Sequence, residues 1–270
     1  RRIIASPASR NRVSLKIDKV IVLLLVGCLV SMSGIALYYK LGWDRMDKQM
    51  REIATDVNTV NTAIKDLSGL YSRTRVGLIL TELRSQDENL IVMFGDSIVE
   101  QLYFPALDGI NVVNTGISGS KALEAKPFLD SILAATRGPV VALSMGTNDA
   151  FGEKVATPEQ FAVGYEALVQ AILDTGRKVV LVTLPPLEPD KPESRMFNGS
   201  SLDGYNAVIH EIGKRHGLAV ADINAMLTER RRALKASQTL DGVHLDPAAA
   251  ALWRDTVYAA IRQTLSQPGK

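Results

Sequence analysis

The stretch Leu90-Ile91-Val92-Met93-Phe94-Gly95-Asp96-Ser97-Ile98 sets an apolar run of strand length directly before Gly-Asp-Ser, and Val99-Glu100-Gln101-Leu102 continue with helical spacing. A strand that ends in so sharp a turn into a helix leaves its serine exposed at the carboxyl edge of a sheet, where open α/β folds keep their chemistry. Alone, the same tripeptide serves as an ordinary turn or N-cap. Its meaning depends on what the rest of the chain brings to it.

Working outward, β-rich runs alternate with helical patterns from Arg73 to the carboxyl end. The runs are Leu90–Phe94, Val112–Asn114, Val140–Met145, Lys178–Thr183 and Leu218–Ala221. Helical stretches lie near Lys121–Thr136, Pro158–Thr175, Ser201–His216 and Pro247–Leu265. Strands separated by helices predict an α/β fold with a five-stranded parallel sheet, doubly wound and covered on both faces. Asp246 is a natural N-cap for the last helix, and Pro247 suits its first turn. Leu184–Ser200 holds Pro185, Pro186, Pro189 and Pro192 without apolar periodicity. A loop of that length in a compact domain is expected to form a pocket wall or lid, with an unstructured bulge as the alternative.

Upstream, residues 1–19 carry Arg1, Arg2, Arg10, Arg12, Lys16 and Lys19 against Asp18 and read as a basic, disordered cytoplasmic arm. Val20–Tyr39 holds no charge. Twenty helical residues span about 30 Å, the thickness of a bilayer's hydrocarbon core. With Tyr38, Tyr39 and Trp43 as an interfacial belt and the basic arm before it, the span predicts a transmembrane helix over 20–39 with its amino end inside. The catalytic domain is then periplasmic or extracellular. Leu25-Val26-Gly27-Cys28 resembles a bacterial lipobox, so a lipid anchor at Cys28 competes with this reading. Apolar residues at Met46, Met50, Ile53, Val57, Val60, Ile64, Leu67 and Tyr71 alternate steps of four and three. That is a heptad seam, predicting a helical stalk over 43–72 that either self-associates through residues 46–71 as a coiled coil or folds back on its own domain.

Composition closes other routes. A net charge of +2 implies no nucleic-acid partner. One cysteine excludes an internal disulfide, and three histidines offer no zinc cluster. No metal or cofactor is expected. The chain opens on Arg1 rather than Met, as one lacking its natural start would.

Three further stretches bear on Ser97. Asn114-Thr115-Gly116-Ile117-Ser118-Gly119-Ser120 follows the second strand, where glycines let backbone N–H groups point at a ligand. Gly146-Thr147-Asn148-Asp149 follows the third strand. Asp241-Gly242-Val243-His244 precedes the last helix, and a three-residue separation around a turn can set the carboxylate on one imidazole nitrogen while the other faces a serine. All four stretches are expected at carboxyl ends of strands. Together they supply a serine acyl hydrolase: Ser97 as nucleophile, His244 as base, and Asp241 to fix the imidazole tautomer. Gly119, Asn148 and the Ser97 N–H would form the oxyanion hole. Asp96 is read as bracing its turn, Asp149 and Asp222 as supporting groups or caps, and His210 and His216 as structural. Asn198-Gly199-Ser200 matches a glycosylation sequon, discounted because the lipobox and basic arm suggest a bacterium.

These four blocks, with Asp203-Gly204-Tyr205-Asn206, resemble the SGNH (GDSL-type) hydrolase family over about residues 88–265. Leu245 stands where many members have proline. The resemblance implies a flavodoxin-like three-layer sandwich over 86–267, without the Gly-x-Ser-x-Gly elbow. It also implies an esterase acting on a small-molecule or carbohydrate ester. Two alternatives stay open: an O-acyltransferase using the same triad on a cell-envelope polysaccharide, and a non-catalytic envelope scaffold.

Overall fold

A computed structural model of the chain describes residues 7–86 and 89–267. The chain divides into two compact units, one ending at Asp66 and one beginning at Leu67.

A single helix, α1 (Pro7–Arg84), makes up the described part of the first unit and opens the second. Residues 7–19, expected as a disordered arm, are therefore helical, and Pro7 sits at the start, where its missing N–H costs nothing. Residues 1–6 of that arm lie outside the described residues. The Ile21–Val60 segment is the one helix among the described residues long and apolar enough to cross a membrane. Its large side chains, among them Leu23, Leu29 and Met32, are exposed. Residues 43–72 are helical as expected, and Met46, Met50, Ile53, Val57 and Val60 along the seam are exposed.

The second unit is built on five parallel strands: β1 (Ile91–Gly95), β2 (Val112–Gly116), β3 (Val140–Ser144), β4 (Lys178–Val182) and β5 (Ala219–Ala221). They lie in the order β2-β1-β3-β4-β5. Ile91 is level with both Val112 and Val140, and Gly95 with Gly116 and Ser144, so the carboxyl ends of the three neighbouring strands stay in step. Both faces of β1 are buried. Val92 and Phe94 enter one core with Ile79, Leu129, Phe161 and Ile209, whereas Ile91 and Met93 enter the other with Leu227, Trp253 and Val257. This period-two division is why the run reads as continuously apolar. Burying each such side chain contributes roughly 1.5–3 kcal/mol.

The helices follow from those faces. The end of α1, with α3 (Lys126–Ala135), α4 (Pro158–Leu173) and α5 (Gly199–His216), supplies the first core. The second core takes α2 (Ser97–Glu100), α6 (Ile223–Leu234) and α7 (Pro247–Ser266). Asp246 caps α7, accepting from Ala249 N at 2.8 Å. Asn198 caps α5, accepting from Ser201 N at 3.0 Å, so the sequon residue serves the helix start.

The stretch expected as the catalytic domain, 86–267, lies within the second compact unit, which begins at Leu67 and takes Ile79 and Leu83 of α1 into its first core. One expectation is corrected. Asp241–His244 does not follow a strand: α6 lies between it and β5, capped by Asp222, which accepts from Ala225 N at 3.0 Å.

Candidate active site

With β1 between β2 and β3, the chain leaves β1 toward one side and returns on the other, which opens a crevice at the carboxyl ends of these strands. Ser97 stands there, immediately after β1 and its turn residue Asp96. Asp96 N-caps α2, accepting from Ile98 N at 3.0 Å. The end of β2 is fastened to this turn. Asn114 Nδ2 donates to the carbonyls of Val99 and Leu102, each at 2.8 Å, and to that of Glu100 at 3.1 Å. Gly116 is required for this approach, because a Cβ there would lie 2.3 Å from Glu100 N and 2.9 Å from the Asp96 carbonyl.

The carboxylate and imidazole arrive from the α6–α7 connection. Ser97 Oγ lies 3.0 Å from His244 Nε2, and His244 Nδ1 lies 2.5 Å from Asp241 Oδ2. Asp241 Oδ1 accepts from the backbone N–H of Val243 at 2.9 Å and of His244 at 2.8 Å. Burial alone would raise the Asp241 carboxyl. The His244 side-chain and backbone hydrogen bonds outweigh it and hold the group below its ordinary value. All three side chains are partly buried, so solvent reaches the site without flooding it.

A carboxylate that the sequence reading missed steadies this connection. Glu188, in the long loop 184–200, is 4% exposed. It accepts from Gln238 N at 2.7 Å, Thr239 Oγ1 at 2.6 Å and Ser237 Oγ at 2.7 Å, and its own N–H donates to Gly242 O at 2.9 Å. Burial would raise Glu188, but these bonds with Lys191 lower it to about 2. The loop also lines a cavity of about 390 Å³ with Pro185, Pro186 and Phe197. A second cavity, about 340 Å³, adjoins the serine turn at Ile98 and is lined by Leu102, Tyr103, Leu240, Leu245 and Arg254.

Asn148 is tied to Ser120, the residue after Gly119, rather than to Ser97. Asn148 Nδ2 donates to Ser120 O at 3.1 Å, which engages one of its two amide hydrogens and ties the β3 loop to the β2 loop. Gly119 has φ +77°, and a Cβ there would meet open space, so it is the backbone conformation that calls for glycine. Asp149 props the same junction: Oδ2 accepts from Ala122 N at 2.8 Å, and Tyr205 donates to its carbonyl at 3.2 Å. Asn206 clasps Leu184, accepting from its N–H at 2.7 Å and donating to its carbonyl at 3.1 Å. Tyr205 and Asn206 of the Asp203–Asn206 stretch are thus packing and bracing groups. His210 pairs with Asp222 at 3.2 Å and His216 with Glu166, in keeping with structural roles.

Asp96 is 1% exposed, and its Oδ2 has no hydrogen-bond partner among the described residues. Burial pushes its carboxyl up to about 6, against the pull of the Ile98 N–H and of the nearby Thr147 N–H and hydroxyl. Between the ordinary value of 3.8 and about 6, the folded chain holds a proton that the unfolded chain has lost, so Asp96 makes stability fall as pH rises through that window. Asp96→Asn keeps an acceptor for Ile98 N and removes the buried charge. It is expected to be more stable than the parent at pH 8 by on the order of 1–3 kcal/mol, with the difference closing below about pH 4. Urea unfolding in detergent at both pH values checks this; a variant less stable than its parent at pH 8 would contradict it.

A parallel sandwich of this strand order, with a serine, an imidazole and a carboxylate in hydrogen-bonded series at its carboxyl edge, defines an α/β enzyme of the hydrolase class. The family described as GDSL-like Lipase/Acylhydrolase matches residues 93–252, and the chain belongs to that family. No curated protein matches the chain. Among solved structures, an acetyl xylan esterase aligns with TM-score 0.56 at 19% identity, over 64% of this chain and 100% of that one. A carbohydrate acetylesterase from Sinorhizobium meliloti aligns with TM-score 0.54 at 19% identity, over 65% and 99%. An aryl esterase from M. smegmatis aligns with TM-score 0.54 at 20% identity, over 65% and 99%. At these identities the likeness is one of fold.

Proposed function

We propose that the chain is a membrane-anchored serine esterase that hydrolyses short-chain esters, acetyl esters first among them, outside the cytoplasm. The observation that carries the reading is the series Ser97 Oγ, His244 Nε2, His244 Nδ1, Asp241 Oδ2, with separations of 3.0 Å and 2.5 Å. Ser97 Oγ attacks the ester carbonyl carbon while His244 Nε2 takes the hydroxyl proton. The Asp241 carboxylate stabilises the imidazolium. The carbonyl oxygen, now an anion, is received by the backbone N–H groups of Gly119 and Ser97 and by the second amide hydrogen of Asn148, each donor contributing about 3 kcal/mol. Collapse expels the alcohol, which takes the proton from His244 and leaves acyl-Ser97. Water, deprotonated by the same imidazole, then releases the acid and restores the hydroxyl.

Support for a short acyl group comes from the acetyl and aryl esters named for the solved neighbours. Anchoring is supported by the apolar helix through 20–39, and the basic residues before it favour an inside amino end. The exposed seam from Met46 to Val60 supports self-association of the stalk. A p-nitrophenyl ester series with the full chain in detergent tests the substrate reading. Turnover should be greatest with acetyl and fall at least about tenfold by octanoyl, since a site fitted to an acetyl group rejects extra methylenes by roughly 1–3 kcal/mol. A maximum at long chains would contradict it.

A further inference from the structure

The last turns of α1 are hydrogen-bonded directly into the candidate site. Arg75 Nε donates to Gly116 O at 3.0 Å, and its Nη2 donates to Asn114 O at 3.0 Å. The same guanidinium pairs with Glu100 at 3.4 Å. Glu100 ends α2, the helix that Ser97 begins. It accepts from Ser118 N and Ser118 Oγ, each at 2.6 Å, and from the Tyr71 hydroxyl. The charged pair is largely withdrawn from water, its side chains 20% and 18% exposed. Burial would raise the Glu100 carboxyl; the bonds from Ser118 and Tyr71, with the Arg75 charge, prevail and hold it below its ordinary value, so it stays ionised.

We propose that Tyr71, Arg75 and Glu100 are positioning residues, a cross-brace that fixes the Ser97 turn against the Gly116–Gly119 loop. This inference rests on the triad reading above. The nucleophile and the first oxyanion donor sit on separate segments, one after β1 and one after β2, and their separation must be held within about 0.5 Å for the tetrahedral intermediate to meet its donors. β2 ends at Gly116, where the carbonyls of Asn114 and Gly116 meet a guanidinium whose fork presents two N–H groups at fixed spacing. Glu100 joins the far end of the serine helix to both that guanidinium and the Ser118 N–H, one residue before Gly119. The brace touches no reacting atom. It acts on the distance from Ser97 to the oxyanion donors, and hence on the chemical step rather than on substrate binding.

The test uses the full chain in detergent, with Arg75→Ala, Arg75→Lys, Glu100→Gln and Tyr71→Phe beside Ser97→Ala. Active sites are counted by stoichiometric release of p-nitrophenol from a p-nitrophenyl phosphonate, and turnover of p-nitrophenyl acetate is expressed per counted site. Arg75→Ala and Glu100→Gln are expected to lose about ten- to a hundredfold in kcat per site, with KM within about threefold. Arg75→Lys, which keeps the charge but not the fork, is expected between Arg75→Ala and the parent, and Tyr71→Phe loses least. A merely structural role would lower the number of countable sites and leave each turning over at the parent rate, and that result overturns the proposal. If Arg75→Ala yields no folded chain, Glu100→Gln and Tyr71→Phe decide by the same measure. Turnover that survives Ser97→Ala would strike down the triad reading and this inference together. Loss confined to Ser97→Ala would strike down the inference alone.

Discussion

Ser97→Ala is expected to lower kcat for p-nitrophenyl acetate by about 10⁴- to 10⁶-fold, with the thermal midpoint of the chain nearly unchanged. The two halves of that expectation have different sources. Only the hydroxyl can form the acyl bond, and what would remain without it is the assistance of Gly119, Asn148 and the Ser97 N–H to attack by water. Structurally the hydroxyl contributes little. Its one partner among the described residues is His244 Nε2, a bond whose net contribution is about 1 kcal/mol. Asp96, Asn114 and Gly116 hold the turn without it. A fall of less than about a hundredfold, in protein with a parental melting curve, would remove Ser97 from the nucleophile's role.

The second large effect is expected from Asp241→Asn, a loss of about 10⁴-fold in kcat in a chain that folds normally. The asparagine oxygen can still accept from Val243 N and His244 N, which hold the aspartate at 2.9 Å and 2.8 Å. The amide nitrogen then replaces the oxygen that faces His244 Nδ1. An N–H there selects the tautomer in which Nδ1 accepts and Nε2 carries the proton. The imidazole would present a hydrogen to Ser97 where a lone pair is needed, and an imidazolium formed beside a neutral amide would lose its counter-charge. Turnover within about tenfold of the parent would show that Asp241 serves only to shape the turn.

Much of this arrangement is legible in the sequence, for reasons that can be named. The five strands read clearly because a strand between two helical layers is apolar on both faces, as Ile91–Gly95 is. Ser97, Asp241 and His244 stand out because each lies in a short polar stretch whose spacing suits the chemistry. Other features were masked. α6 was missed because its core-facing side chains, Ile223 and Leu227 with Met226 partly buried, cover little more than one turn before the charged run Glu229, Arg230, Arg231 and Arg232. The end of α1 carries Val76, Ile79, Leu80 and Leu83 at helical spacing, a signal present but not counted among the helical stretches of the domain. Glu188 lies in a proline-rich loop with no periodicity, and only its contacts with residues about fifty positions later reveal that it is buried. In sequence Arg75 and Glu100 are ordinary surface residues and Tyr71 is the last position of the heptad seam; the three converge only where the end of α1 meets the end of β2.

Formation of an acyl-enzyme on Ser97 is the central claim, and trapping it is the most direct test. The full chain in detergent would be mixed with excess p-nitrophenyl acetate, quenched in acid during turnover, digested and mapped by mass spectrometry. One acetyl group on the peptide containing Ser97, absent from Ser97→Ala, is the predicted result. Acetyl found on a different residue, or none found on Ser97 while turnover continues unaffected in Ser97→Ala, would contradict the account.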